Sequence, residues 1–174
     1  MFMRSLLVLA VAGFAFAAQA VETPKLGKPI SPAEIAPWDL SIAPDGAGLP
    51  PGRGTAKQGK DIFFEKCSYC HGPEGQGDAA DRLVGGQGTL ASDKPIKTVG
   101  SYWPYATTLF DFIRRAMPLN EPESLTNDQV YAVAAYILAM NKIVPENATM
   151  DAKSLPKVKM PNKGNFFIVY PGNF

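Results

Sequence analysis

The chain contains two cysteines and one histidine, and all three fall in the pentapeptide Cys67-Ser68-Tyr69-Cys70-His71. Two thiols three residues apart, followed at once by an imidazole, match the attachment signature of haem c. The thiols add to the two vinyl groups of one haem, and the next residue places its ring beneath the iron. One helical turn sets the spacing of all three groups. Other chemistries fail on counts and context. A zinc site needs further Cys or His ligands, a thioredoxin-like dithiol needs a βαβ setting, and a structural disulfide across so short a loop is strained. One covalent haem is therefore expected, held by Cys67 and Cys70 with His71 as an axial ligand.

A lone histidine excludes bis-histidine ligation and a second haem attached in the same way. The sixth position is left to methionine, another weak donor, water or nothing. Four methionines follow the motif: Met117, Met140, Met150 and Met160. Met140 falls inside an apolar helical pattern, where methionine is usually core filler, and Met150 and Met160 fall in an irregular tail. Met117 stands where a helical pattern stops at Pro118, 46 residues after His71. A thioether there can be aimed from a loop backed by a helix, so Met117 is the expected ligand.

The elements that must position these groups are short. The spacing of Ala56, Gly59, Ile62 and Phe63 predicts a helix from about Thr55 to Cys67. A glycine-rich loop from Gly72 to roughly Pro104 follows; its Gly85-Gly86-Gln87-Gly88 lacks the strand, lysine and helix of a phosphate-binding loop. A second helix is expected over Ala106–Ala116, with Leu109, Phe112, Ile113 and Ala116 on one face. The third begins at Thr126, where Gln129 completes a capping box and Leu125 can staple to Val130, and runs to about Lys142. Its expected buried face is Val130, Val133, Ala134, Ile137 and Leu138 or Met140.

Outside this core, Val21–Arg53 carries seven prolines, read either as an extended arm or as a disordered linker. Phe166-Phe167-Ile168-Val169-Tyr170 is a β-prone apolar run that needs something to pack on. At the other end, Arg4, the uncharged run Leu6–Ala18 and Ala18-Gln19-Ala20 form an export signal with cleavage expected after Ala20, which places the mature chain in the periplasm. That run of 13 residues is too short to cross a bilayer, and no later segment is apolar enough. The formal charge of +1 becomes zero once Arg4 is removed, so nothing attracts nucleic acid. Asn147-Ala148-Thr149 matches a glycosylation sequon by chance.

From Thr55 to Ile143 the sequence resembles class I cytochromes c. Gly59 and Phe63 stand eight and four residues before Cys67, where that family places a glycine and an aromatic against its last helix, and Tyr136 fits the aromatic on that helix. The resemblance implies an all-α class I cytochrome c fold at residues 55–144, with an N-terminal proline-rich arm at 21–54 and a C-terminal extension at 145–174. The family often has a proline after the motif whose carbonyl accepts the histidine Nδ1–H; the equivalent place here falls near Leu83. Trp103 and Tyr105 are read as haem neighbours, one bonding a propionate, or as core packing. Arg114 and Arg115 are read as partners of propionates or of acidic protein surfaces, or as solvated.

A narrower likeness lies in Gly100-Ser101-Tyr102-Trp103-Pro104-Tyr105-Ala106-Thr107-Thr108, in Asp111-Phe112-Ile113-Arg114-Arg115-Ala116-Met117-Pro118, and in Tyr131-Ala132-Val133-Ala134-Ala135-Tyr136-Ile137-Leu138. These strings are similar to cytochrome subunits of bacterial sulfite dehydrogenases and to the haem domain of sulfane dehydrogenase. The likeness implies a one-electron relay, not catalytic alone. Its partners would be a molybdenum-cofactor, sulfite-oxidising subunit and a downstream cytochrome or oxidase. A free-standing shuttle, or an enzyme or gas sensor with an open iron site, are the competing classes; a methionine on the sixth position opposes the last. Denaturing mass spectrometry of the exported protein is expected to give a chain beginning at Val21 plus one haem that resists acid–acetone extraction, and an extractable haem would contradict the attachment.

Overall fold

Gly59 marks the place where two helices cross without room for a side chain. The computed structural model describes residues 26–167 and residue 169. Its elements in chain order are α1 (Pro32–Ile35), β1 (Arg53–Thr55), α2 (Ala56–Lys66), α3 (Ser68–His71), α4 (Ala106–Ala116), α5 (Asn127–Met140) and β2 (Thr149–Asp151), followed by 3₁₀ turns at Leu155–Lys157 and Lys163–Asn165. The fold is the class I cytochrome c fold, all-α apart from one two-stranded ribbon. The main packing is α2 against α5. A Cβ on Gly59 would run into the carbonyl of Ala132 and the Cβ of Tyr136, so only glycine lets the two backbones approach this closely. One turn on, the rings of Phe63 and Tyr136 meet edge to face at 5.4 Å.

Capping sets the ends of both helices. Thr126 and Gln129 form the expected capping box on α5, and Thr55 and Gln58 form a second one on α2 that the sequence reading did not use. At its far end α5 stops two residues short of Lys142. The Ile143 amide bonds the Leu138 carbonyl and the Lys142 amide bonds that of Ala139, with Lys142 at φ 58°. This is a Schellman ending, and Ile143 packs back on the core.

The face of α4 differs from expectation. Leu109 and Ile113 are buried, but Phe112 is 46% exposed and Phe110 is fully buried. Two overlapping stripes satisfy helical spacing here. The one that wins lets Phe110 lie against Tyr131, with ring centroids 4.3 Å apart. Along α5, every residue from Val130 to Ala135 is buried, with Ile137 and Leu138, while Met140 is only half-buried.

The flanking segments divide. Ile42 and Leu49 pack on the core, the Tyr131 hydroxyl donates to the Pro50 carbonyl at 2.9 Å, and Arg53–Thr55 pairs antiparallel with Thr149–Asp151. Further out, α1 has its own capping box at Ser31 and Glu34 but buries no residue, and Trp38 is 85% exposed. After α5, Met150, Leu155 and Met160 are buried in the same core. The expected β-prone run forms no strand at Phe166 and Phe167: Phe166 meets Tyr102 edge to face at 5.4 Å, and Phe167 stays exposed. Ile168, Tyr170 and the export signal lie outside the described residues.

The Gly59→Ala variant is expected to lose about 3 kcal/mol of unfolding free energy, the upper range for overpacking, because the atom it meets is backbone that cannot rotate away. Denaturant titration checks this, and a loss within error of zero would mean that α2 and α5 are not in close contact.

Candidate functional site

The thiols and the imidazole sit on a single turn that α2 hands on. Cys67 ends α2, its amide bonding the Phe63 carbonyl, and Ser68–His71 makes one further turn in which the Cys70 and His71 amides both reach the Cys67 carbonyl. Gly72, at φ 78°, then turns the chain out of the helical direction. Both thiols are free and half-buried. Burial pushes the Cys67 thiol up to about 11, although the charge of Lys66 pulls it down. At neutral pH it is therefore held as a neutral thiol.

The loop after the motif folds back over it. The Gly77 amide bonds the His71 carbonyl at 2.8 Å, and the Ala80 amide bonds the Cys70 carbonyl at 2.8 Å. This return brings the Asp81 carbonyl to 2.7 Å from His71 Nδ1. A carbonyl only accepts, so Nδ1 carries the proton and the lone pair of Nε2 is left free to ligate a metal. The expectation for Leu83 is thus corrected. Its carbonyl instead accepts the Asn141 Nδ2–H at 3.1 Å, because the chain has already turned back at Asp78–Ala80 and the carbonyl two residues earlier lies over the ring.

Met117 follows α4 directly, its amide bonding the Ile113 carbonyl, and its half-buried side chain packs on the core as that of Cys67 does. Lys66, next to Cys67, lies 4.0 Å from Glu121, four residues past Met117. The pair lies at the surface and is worth little as energy, but it sets the segment after Met117 beside the cysteine turn. Of the other methionines, Met150 and Met160 are spent in the core.

The remaining expected neighbours separate. Trp103 packs on the core and meets Phe112 edge to face at 5.9 Å. Tyr105 caps α4 by its backbone and has the Lys163 ammonium 5.4 Å from its ring centroid. Arg114 is half-buried, and Arg115 pairs with Asp111 one turn back. Around the motif Phe64, Tyr69 and Leu119 stand exposed. Two contributors escaped the sequence reading. The Asp81 carbonyl is backbone and leaves no residue signature. Asn141 looks like an ordinary polar residue at a helix end.

The cytochrome c family profile matches residues 56–141, from the start of α2 to the end of α5. The structure is similar to that of the sulfane dehydrogenase SoxCD from Paracoccus pantotrophus, with a TM-score of 0.78 and 37% identity over 87% of this chain and 73% of that one. The chain belongs to the cytochrome c family. This cytochrome is also similar to two thiosulfate dehydrogenases. One, from Psychrobacter arcticus, is 28% identical over 116 residues, and the other, from Stutzerimonas stutzeri, is 29% identical over 142. It covers 64% and 74% of its own length in those matches but spans only 35% and 44% of theirs.

Membership implies haem c, bound covalently, and electron transfer at a single haem. The donor set fits that group: two reduced thiols on one turn, an imidazole whose Nδ1 is already committed, and a thioether at the end of α4. Among the described residues no cluster of His, Cys, Asp and Glu is suited to a metal ion, and no helix is long and apolar enough to cross a membrane.

Proposed function

We propose that this cytochrome is a periplasmic one-electron relay whose haem is linked to Cys67 and Cys70 and ligated by His71 and Met117. The observation that carries the ligand assignment is the joining of two segments. The Cys67 turn and the chain after Met117 meet at Lys66 and Glu121, while Met150 and Met160 are buried elsewhere. Bound haem supplies a reversible ferric–ferrous couple. The chain's own residues do the rest: Asp81 fixes the tautomer of His71, α4 anchors Met117, and Trp103 with Phe112 forms an aromatic wall beside that helix. A thioether favours the ferrous state and closes the iron to small molecules.

We place the relay in a sulfur-compound dehydrogenase. The strings around Trp103 and Met117 support a molybdenum-cofactor, sulfite-oxidising subunit as the partner, with a downstream cytochrome or oxidase taking the electrons. A sulfane dehydrogenase partner is the second reading, favoured by the 37% identity to SoxCD. The similarity to thiosulfate dehydrogenases supports sulfur oxidation in general. A two-electron sulfur donor must reduce a single haem twice, which calls for a redox centre held nearby. The chain has little net charge for steering, so the exposed apolar ends, with Trp38 on the arm and Phe166 and Phe167 on the C-terminal extension, are assigned to holding the partner.

Met117→Ala is expected to abolish the weak long-wavelength sulfur-to-ferric-iron band and lower the midpoint potential, whereas Met140→Leu leaves both in place. The opposite pattern in an absorption-monitored redox titration would move the ligand to Met140. For the partner, co-purification with a molybdenum subunit and haem reduction on adding sulfite are expected, and deleting residues 164–174 should weaken the complex without altering the haem spectrum. Reduction by a sulfane donor but not by sulfite would select the second reading. A cytochrome that purifies alone, with the deletion accepting electrons as fast as the full chain, would make it a free shuttle.

A further inference from the structure

A buried polar side chain, Asn141, 5% exposed, stands just past the end of α5 and faces the loop that follows the motif. All four of its hydrogen-bonding positions are used. Nδ2 donates to the Leu83 carbonyl at 3.1 Å and to the Ile137 carbonyl at 2.9 Å, while Oδ1 accepts from the Gly85 amide at 3.1 Å and the Gln87 Nε2 at 3.4 Å. Gly100 lies so close that a Cβ there would strike the carboxamide. The Gly85 carbonyl is in turn held by the Thr98 hydroxyl at 2.5 Å, and Thr98 and Ser101 are themselves buried and mutually bonded. The glycine loop is thus wrapped around one carboxamide.

What that carboxamide secures is the strand of chain that holds His71. Residues 72–84 are tied largely to themselves and to the motif. The Leu83 and Val84 amides bond the Gly75 carbonyl, the Ala80 amide bonds that of Cys70, and Arg82 Nε bonds that of Gln76. Among the described residues the one hydrogen bond reaching this segment from outside residues 67–84 is that of Asn141 to Leu83, two residues after Asp81. It connects the segment to α5, the most deeply buried helix of the fold. Without it the segment has only its own turns and the packing of Leu83 on the core to keep the Asp81 carbonyl 2.7 Å from Nδ1.

We infer that Asn141 is a positioning residue for the proximal ligand: by fixing Leu83 it holds the Asp81 carbonyl on His71 Nδ1–H and thereby sets the potential of the haem. This rests on the reading of His71 as the axial ligand. The physical link is the basicity of the imidazole. A firm Nδ1–H bond to an acceptor pushes electron density towards Nε2 and stabilises ferric iron, and loosening it raises the potential. Neither Asn141 nor the carbonyls it meets change charge with pH, so the effect is geometric.

The experiment compares holoprotein carrying Asn141→Leu, of similar volume without polar atoms, with Asn141→Ser, which can still bond back to the Ile137 carbonyl but is too short for Leu83. Leu155→Ala serves as a control, since it empties a fully buried position outside this loop. Midpoint potential and the exchange rate of the His71 Nδ1 proton in the ferrous protein are read, the latter by NMR. Both Asn141 variants are expected to raise the potential and to speed proton exchange at least tenfold, while Leu155→Ala loses stability and moves neither. If either Asn141 variant folds and keeps the wild-type potential and exchange rate, Asn141 is only a structural residue. If wild-type His71 lacks the ring-current shifts of an iron ligand, the ligand reading itself fails, a result distinguishable from the first.

Discussion

The structure depends on how closely α2 can lie on α5. With a side chain at position 59 the helices would separate, because the atom in the way is the Ala132 carbonyl. Separation would pull Phe63 off Tyr136 and move the end of α2, which is where Cys67 sits. Gly54 repeats the constraint just before α2, where a Cβ would meet the Ala132 backbone from the β ribbon. One small region of α5 is therefore approached from two sides, and the attachment turn inherits its position from that contact. Capping boxes at Thr55 and Thr126 set where each helix begins, and so the register of the crossing.

From α5 the constraint passes outward in polar form. The apolar crossing fixes the beginning and middle of the helix; at its end the chain turns out through Lys142, and Asn141 is left facing the glycine loop. Glycine serves this loop at specific points. Gly86 is at φ 79° with the Ile96 carbonyl where a Cβ would be, and Gly100 abuts the carboxamide. A loop with few apolar side chains gains its order from hydrogen bonds to buried donors and acceptors, each of which is costly to leave unmade. That gives the turn carrying His71 a rigid support without a helix behind it.

The sequence made the motif, the three main helices and the glycine at the crossing legible because each has a local signature: cysteine spacing, apolar period, capping pair. The last helix was readable to within two residues at its end. The face of α4 was not, since a stripe through Phe112 and one through Phe110 obey the same period and only packing on Tyr131 separates them. The acceptor for His71 was misplaced by two residues for a related reason. A backbone carbonyl has no side-chain identity, and its position depends on the Ala80–Cys70 bond, which closes the loop earlier than counting suggests. Met150 and Met160 fall in a stretch with no helical or strand period, yet they lie buried, because the ribbon between Arg53–Thr55 and Thr149–Asp151 draws the chain after α5 back onto the core.

The same geometry gives the two proposed ligands different mechanics. His71 is held on a turn locked by the loop and by α5, whereas Met117 follows the end of α4, its amide on the Ile113 carbonyl and its side chain half-buried against the core. As the proposed pair, a firmly held imidazole and a thioether delivered from a helix end suit electron transfer, in which neither ligand leaves. The measurement that tests this most directly is the proton NMR spectrum of the reduced holoprotein, with side-chain assignment of the methionine methyls. The account requires one methyl, that of Met117, to be shifted far upfield by the haem ring current, with those of Met140, Met150 and Met160 near their usual positions. A spectrum with no such methyl, or with the shift on Met140, would contradict it.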